Sequence, residues 1–255
     1  MSAYPQPLFV SPALPTELLW HIIHHCIYPT TLLICSSRAE FLSSAATDLK
    51  QQNQNPHPKP PDDENQDHTR QGPGISTTSQ LLAAPLYQVA VARHIRVLFI
   101  PTVSHLRAFL SVFSVDTAKV SAPPQPPPLQ QPHTADSSST TGPPPLLLVY
   151  GFLDLHRDTS EWSVQGLSNT TAVLIEAARR VAFQAVVVEP KTEVTTEQQL
   201  LAERMPVLSG SARRVGPDFE SGGWTGRTVD VRRVLGRWFR FRQRDWKREA
   251  DRSIS

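Results

Sequence analysis

Cysteine is scarce. Cys26 and Cys35 are the only two in 255 residues, too few for a disulfide framework or a cysteine-based zinc site, which points to a reducing compartment. Long apolar runs are absent: none approaches the roughly 20 residues that cross a bilayer, and the first residues lack a basic stretch followed by an apolar core. A soluble, intracellular protein with no membrane association is the expectation. The glycine signatures of common enzymes are missing as well: there is no G-x-x-x-x-G-K-[ST] phosphate loop, no G-x-S-x-G elbow and no glycine-rich dinucleotide loop. Without the phosphate loop there is neither a backbone cradle nor a lysine for ATP phosphates, so nucleotide hydrolysis is not expected and no cofactor is assigned.

Proline, by contrast, is abundant. The 24 prolines are clustered, so the folded part is shorter than the chain, about 180 to 200 residues, which still suffices for one core. Residues 1–15 carry four of them and read as a flexible arm. Residues 51–79, poor in large apolar side chains, and 121–145, rich in proline and serine, read as disordered insertions that cannot offset their ordering entropy by burial. Residues 16–245 are then a single domain and 246–255 a basic tail. Net charge is only +2, but from Arg213 onward 12 Lys and Arg face 6 Asp and Glu, leaving +6 on that end and −4 on the rest.

The chain is organised around Leu146 to Glu189. Leu146–Tyr150 is apolar and stops at Gly151; a polar loop with Asp154, His156, Arg157 and Asp158 follows, then a helix-like segment from about Ser168 to Ala182, then apolar Ala185–Val188. Strand, loop, helix, strand is the pattern of a parallel sheet buried on both faces. Upstream, the text predicts a helix capped by Thr16 and a strand at Thr31–Cys35. A helix at Ala39–Leu49 follows, with Phe41, Leu42, Ala45, Ala46 and Leu49 on one face, then a helix over Leu81–Ala92, a strand at His94–Ile100 and a helix at Val103–Phe113. Downstream, it predicts a short helix within Thr192–Arg204, a strand at Pro206–Leu208, a break at Gly222-Gly223-Trp224, a helix ending at Gly236 and a strand at Arg237–Arg242. The expected fold class is α/β, a mostly parallel sheet with helices on both faces. Leu146–Tyr150 should lie at its centre, with Thr31–Cys35, Ile95–Ile100 and Ala185–Val188 beside it.

Four groups of residues are candidates for function. Arg232, Arg233, Arg237, Arg240, Arg242, Arg244, Lys247 and Arg248 interleave with Trp238, Phe239, Phe241 and Trp246. Cations neutralise phosphates and rings stack on unpaired bases, so the pattern suits single-stranded DNA; its plainer reading is a solvated edge strand with aromatic residues in the core. Asp154, His156, Asp158 and Glu161 follow the central strand, where parallel sheets present ligand contacts, but Asp and Ser equally suit turns and caps, and no catalytic residue is assigned. His21, His24 and His25 beside Cys26 lack a second Cys/His cluster, so no metal site is assigned. Trp162 and Trp224 are candidate partner-facing anchors, or core.

The order of elements resembles the RecA-like recombinase core with its phosphate-binding first strand missing. Ser37-Arg38-Ala39-Glu40-Phe41 is similar to that family's step from a strand into a helix. Leu146–Val149 is similar to its Walker B strand, with Tyr150 where the magnesium-holding Asp would be. Gly222-Gly223 and Arg237-Trp238-Phe239-Arg240-Phe241 are similar to its C-terminal Gly-Gly step and arginine strand. Small nucleotide-free relatives of the recombinases occur in Shu-type complexes. The resemblance therefore implies a nuclear, non-catalytic subunit that assists homologous recombination and DNA repair, with a recombinase or a SWIM-type zinc protein as hetero-oligomer partner. Two alternatives stand beside it: an unrelated α/β hydrolase or transferase using the acidic loop after Tyr150, and a scaffold whose proline-rich segments, such as Pro123-Pro124-Gln125-Pro126-Pro127-Pro128, dock on partners.

Overall fold

The computed structural model describes residues 5–25, 29–54, 89, 92–118, 144–192, 196–207 and 227–246. Most of the helix expected over 81–92, most of both expected insertions, Trp224, Lys247 and Arg248 lie outside them. The first elements are β1 (Leu8–Ala13), α1 (Pro15–His25), β2 (Thr30–Ile34) and α2 (Arg38–Gln54). Next come β3 (Ile95–Phe99), α3 (Val103–Val112), α4 (Val115–Ala118), β4 (Leu146–Tyr150), α5 (Phe152–His156), α6 (Val164–Arg180) and β5 (Gln184–Pro190). The chain then forms α7 (Glu197–Ala202), β6 (Arg204–Pro206), β7 (Thr228–Asp230), α8 (Val231–Leu235) and β8 (Arg240–Arg242).

Six strands make one parallel sheet in the order β3-β2-β4-β5-β1-β8, and β6 and β7 pair antiparallel beside it. The α/β architecture with Leu146–Tyr150 central is therefore the observed one. β4 earns its central place by composition, since Leu147, Leu148, Val149 and Tyr150 are all buried and feed both faces. Crossovers β1 to β2 and β2 to β3 run one way across the sheet, and the later ones run the other way. Right-handed connections therefore put helices on opposite faces. On one face Leu18 and Ile22 of α1 and Phe41 of α2 pack on Leu32, Ile34, Leu148, Tyr150, Val186 and Val188. On the other, α3, α6 and α8 pack on Leu33, Leu147, Val149, Ala185 and Val187.

The N-terminal segment departs from expectation. Instead of a flexible arm up to Pro15, Leu8–Ala13 forms β1, hydrogen-bonded between β5 and β8, with Phe9, Val10 and Ala13 buried. The prolines misdirect the reading because they sit where no ladder donor is needed: Pro7 precedes the strand, and Pro12 falls where the register with β5 shifts. The sheet thus has a first strand, contrary to the expectation that it was missing. Four smaller corrections follow. α1 begins at Pro15, a position whose absent N–H costs a helix nothing, and Thr16 is buried inside it rather than capping it. α2 reaches Gln54, four residues into the insertion expected from 51, and Leu42 and Ala46 face solvent while Phe41 and Asp48 are buried. The polar loop after Tyr150 is partly helical, its first part forming α5. Trp246, assigned to the basic tail, is buried, and its indole N–H donates to the Ser11 carbonyl at 3.0 Å.

α3 and α6 are bolted together by arginines. Arg180, at the end of α6, donates to the carbonyls of Leu110, Ser111 and Phe113, satisfying the C-terminus of α3. Arg107 of α3 donates to Glu161 at 2.5 Å, to Thr170 Oγ1 and to the Gly166 carbonyl. The start of α6 fits there only because residue 166 has no side chain: a Cβ on Gly166 would stand 2.3 Å from the Glu161 carbonyl oxygen. Gly166→Ala is expected to destabilise the fold by about 1–3 kcal/mol, as overpacking against backbone does. A urea midpoint unchanged from the parent would show that this junction is looser than described.

Candidate functional site at the carboxyl edge of the sheet

Parallel α/β sheets present their ligand sites beyond the carboxyl ends of the strands. In this chain that edge is filled by its own acidic side chains. β1 passes into α1 through Leu14 alone. The Leu14 N–H donates to Glu17 Oε2 at 3.0 Å, and the Thr16 N–H donates to the Asp48 carboxylate, which reaches across from α2. The N-terminus of α1, where unpaired N–H groups and the helix dipole favour an anion, is thus held by two carboxylates of the protein itself. Asp48 is 6% exposed, and burial together with Glu17 raises its carboxyl above the usual value. Tyr150, in the position the resemblance gives to a metal-holding Asp, donates its hydroxyl to the Ala13 carbonyl at 3.0 Å and so ties β4 to the end of β1. Burial, with Asp48 and Glu189 nearby, pushes that hydroxyl well above its ordinary range, so it stays a donor.

A second acidic group lies on the opposite face. Glu189, the penultimate residue of β5, is wholly buried and accepts from the Leu153 N–H at the start of α5 at 2.9 Å. Burial raises its carboxyl well above the usual value and Asp154 adds to this, while the Leu153 hydrogen bond opposes it. The Cys35 thiol, also buried, is raised by burial and by Glu189 and Asp154, so it is neither a ready nucleophile nor a thiolate ligand. α5 can begin so close to these groups because Gly151 takes a left-handed backbone, φ +82, with Cys35 and Pro190 around it.

The acidic segment after Tyr150 is structural in its bonding. Asp154 pairs with Arg157, which also holds Glu203 at 2.7 Å and lies over the Trp162 ring. Asp158 occupies a positive-φ turn, and Glu161 pairs with Arg107. His156 is completely buried between the Phe152 carbonyl and Thr170 Oγ1, and burial lowers its imidazole to about 4, so it is neutral at physiological pH. Trp162 is half-buried against the core beneath Arg157.

At the far edge of the sheet, Arg232, Arg233, Arg237, Arg240 and Arg242 are exposed. Arg244 is half-buried, with its guanidinium 2.7 Å from His21 Nε2 and its ring partner Trp246 beneath it. The aromatic residues between them are not a stacking platform. Phe239 and Trp246 are buried, and Trp238 and Phe241 are half-buried against the core, Phe241 edge-on to Phe9. Of the histidines, His21 is buried and His24 stacks on Trp20. Among the described residues no group of three or more His, Cys, Asp or Glu is arranged to hold a metal ion, and no helix is long and apolar enough to cross a membrane.

Glu17, Asp48 and Glu189 were not singled out from the sequence. Glu17, three residues after Leu14, carries the spacing of a helix-start carboxylate and was open to discovery. Asp48 and Glu189 were not, because the N–H groups they hold belong to distant segments. The chain matches no protein-family model, no curated protein and no solved structure. Fold and site together define a parallel α/β protein whose ligand edge is closed by its own carboxyl groups.

The raised Glu189 carboxyl has a sign that can be measured. Above its ordinary value of 4.5 the unfolded chain has lost this proton while the folded chain keeps it, so its contribution to stability falls as pH rises from 4.5 toward the raised native value. Glu189→Gln keeps an acceptor for Leu153 and removes the titration. The stability of the variant relative to the parent should therefore be flat below 4.5 and climb above it, in urea unfolding across pH. Parallel profiles would mean that Glu189 ionises freely in the folded protein.

Proposed function

We propose that the chain is a non-catalytic RecA-like subunit that assists homologous recombination and DNA repair in the nucleus. In this reading it binds a recombinase or a SWIM-type zinc protein as a hetero-oligomer partner and contacts single-stranded DNA. One observation carries the non-catalytic part: the first strand-to-helix step holds Glu17 and Asp48 against the N–H groups that a phosphate-binding loop would offer to a nucleotide. A phosphate brought there would meet two carboxylates rather than a glycine cradle and a lysine, so the position favours cations over nucleotides. Tyr150, donating to Ala13 where a magnesium ligand would be needed, supports the same conclusion.

The DNA-binding part draws its support from β8 and α8. Arg240 and Arg242 are exposed on the edge strand, and Arg232, Arg233 and Arg237 are exposed on the neighbouring turn of chain. Because the adjoining rings are packed inward, this surface offers charge without stacking. The binding expected of it is weak in sequence preference and steep in salt dependence. The acidic α5 segment, already committed to Arg157, Glu203 and Arg107, gives no comparable support to a hydrolase or transferase.

The reading is tested by fluorescence anisotropy with a labelled oligonucleotide and with a fluorescent ATP analogue. Saturable binding of the oligonucleotide is expected, and no saturable binding of the nucleotide. Arg240→Ala with Arg242→Ala should weaken DNA binding and reduce the slope of log affinity against log salt by about 0.7 per arginine. Tight nucleotide binding, or DNA binding indifferent to both arginines, would overturn it. Recovery of a recombinase or SWIM protein in a native pull-down checks the partner.

A further inference from the structure

Beside the closed N-terminus of α1 lies a cleft of about 670 Å³, lined among others by Leu14, Glu40, Ser43, Thr47, Asp48 and Lys191. It sits where β1 and β5, neighbours in the sheet, send their chains to opposite faces, the crevice in which parallel α/β sheets take ligands. Its chemistry is one-sided. Asp48 gives one oxygen to the Thr16 N–H, and its other oxygen, Oδ2, is buried without a hydrogen-bond partner. Glu17, just behind it on α1, likewise keeps Oε1 buried and unpartnered. A buried carboxylate oxygen without a partner is costly, so Asp48, at the cleft wall, favours a ligand that brings a donor. The hydroxyl of Thr47 already donates to the Ser43 carbonyl, leaving lone pairs that can only accept. Glu40 adds a further carboxylate, and among the described residues Lys191 is the one cation lining the cleft.

The ligand that fits carries donors, positive charge and no acceptors. Asp48 and Glu40 disfavour an anion, while Leu14, Ala39 and the aliphatic stems of the lining side chains suit an alkyl portion. No group of described residues is arranged for a metal ion. We infer that this cleft binds an alkylguanidinium or alkylammonium group, with Asp48 as its buried counter-charge and the hydroxyls of α2 as its rim. A guanidinium, with five donors in a planar fork, suits the Asp48 carboxylate with the Glu40 carboxylate at the same cleft. Burial has raised the Asp48 carboxyl, and an occupying cation lowers it again. The group comes either from a free amine or from an arginine of a peptide, and the two sources are separable by the probe used.

The test is the shift of the urea unfolding midpoint of the full chain with agmatine, and with a blocked glycyl-arginyl-glycine peptide, each against the same ionic strength of sodium chloride. A saturable stabilisation by agmatine alone identifies a small-amine site, and one by both identifies a site that also accepts a peptide arginine. Asp48→Asn keeps the cap on Thr16, since asparagine caps helices as well as aspartate does, and should weaken agmatine binding about tenfold or more. Lys191→Gln, on the exposed rim, should tighten it by removing the competing cation, and this variant decides the matter if Asp48→Asn fails to fold. Stabilisation no greater than that of salt, or binding indifferent to both substitutions, would overturn the assignment.

Discussion

A parallel sheet buried on both faces forces every crossover helix to begin at one edge, and the fate of those helix N-termini governs the rest of this structure. Each N-terminus carries unpaired N–H groups and partial positive charge that must be met by an anion, a cap or water. Proteins that use the edge for catalysis or nucleotide binding leave it open and let the ligand supply the charge. This chain supplies the charge itself. Glu17 and Asp48 close α1, Glu189 closes α5, and Ser163 and Thr102 cap α6 and α3 with their hydroxyls. The edge is thereby folded into the stability of the sheet.

The closure depends on the first strand. β1 brings Ala13 beside the end of β5 and within reach of the Tyr150 hydroxyl from β4, so that the Ala13 carbonyl can accept both from Tyr150 and from the Lys191 N–H. It also anchors the basic end of the chain: Ser11 exchanges hydrogen bonds with the Arg244 backbone and accepts the Trp246 indole through its carbonyl. One six-residue strand therefore carries the closed acidic site at its carboxyl end and steadies the arginine-bearing β8 along its flank. The acidic and basic surfaces are parts of one support.

What could be read without coordinates was what burial dictates locally. β2, β4 and β5 are apolar on both faces, and α3 repeats Leu106, Leu110 and Phe113 at helical spacing, so these elements and their layering were legible. β1 was hidden because prolines are read as breakers, whereas here they flank the paired residues. On α2 the helical period was right and the face partly wrong. The helix buries Phe41 and Asp48 and leaves Leu42 exposed, since the polar Asp48 is drawn inward by a donor on α1 that no local pattern announces. The aromatic residues near the C-terminus posed the same difficulty in reverse: rings interleaved with arginine fit both a binding surface and an amphipathic edge strand, and only the packing of Phe241 on Phe9 and of Trp246 under Arg244 separates the two.

The remaining question is why buried carboxyl groups with an unpartnered oxygen persist at all, when amides or hydroxyls would cap the same helices at lower desolvation cost. Glu189 answers in one way. Burial raises its carboxyl well above the usual value and so favours the neutral form, which costs less as a buried cap than a carboxylate does. Asp48 does not fit that answer as well, because it borders a cleft with hydroxyls and a lysine rather than an apolar strand end, and an occupying cation would relieve it more completely than a proton does. The two acids are alike in helix-capping role and each keeps one buried oxygen without a partner, but they differ in setting: Glu189 is wholly buried at a strand end, whereas Asp48 stands at the wall of a cleft. That difference, rather than acidity as such, separates a structural carboxyl from a binding one in this fold.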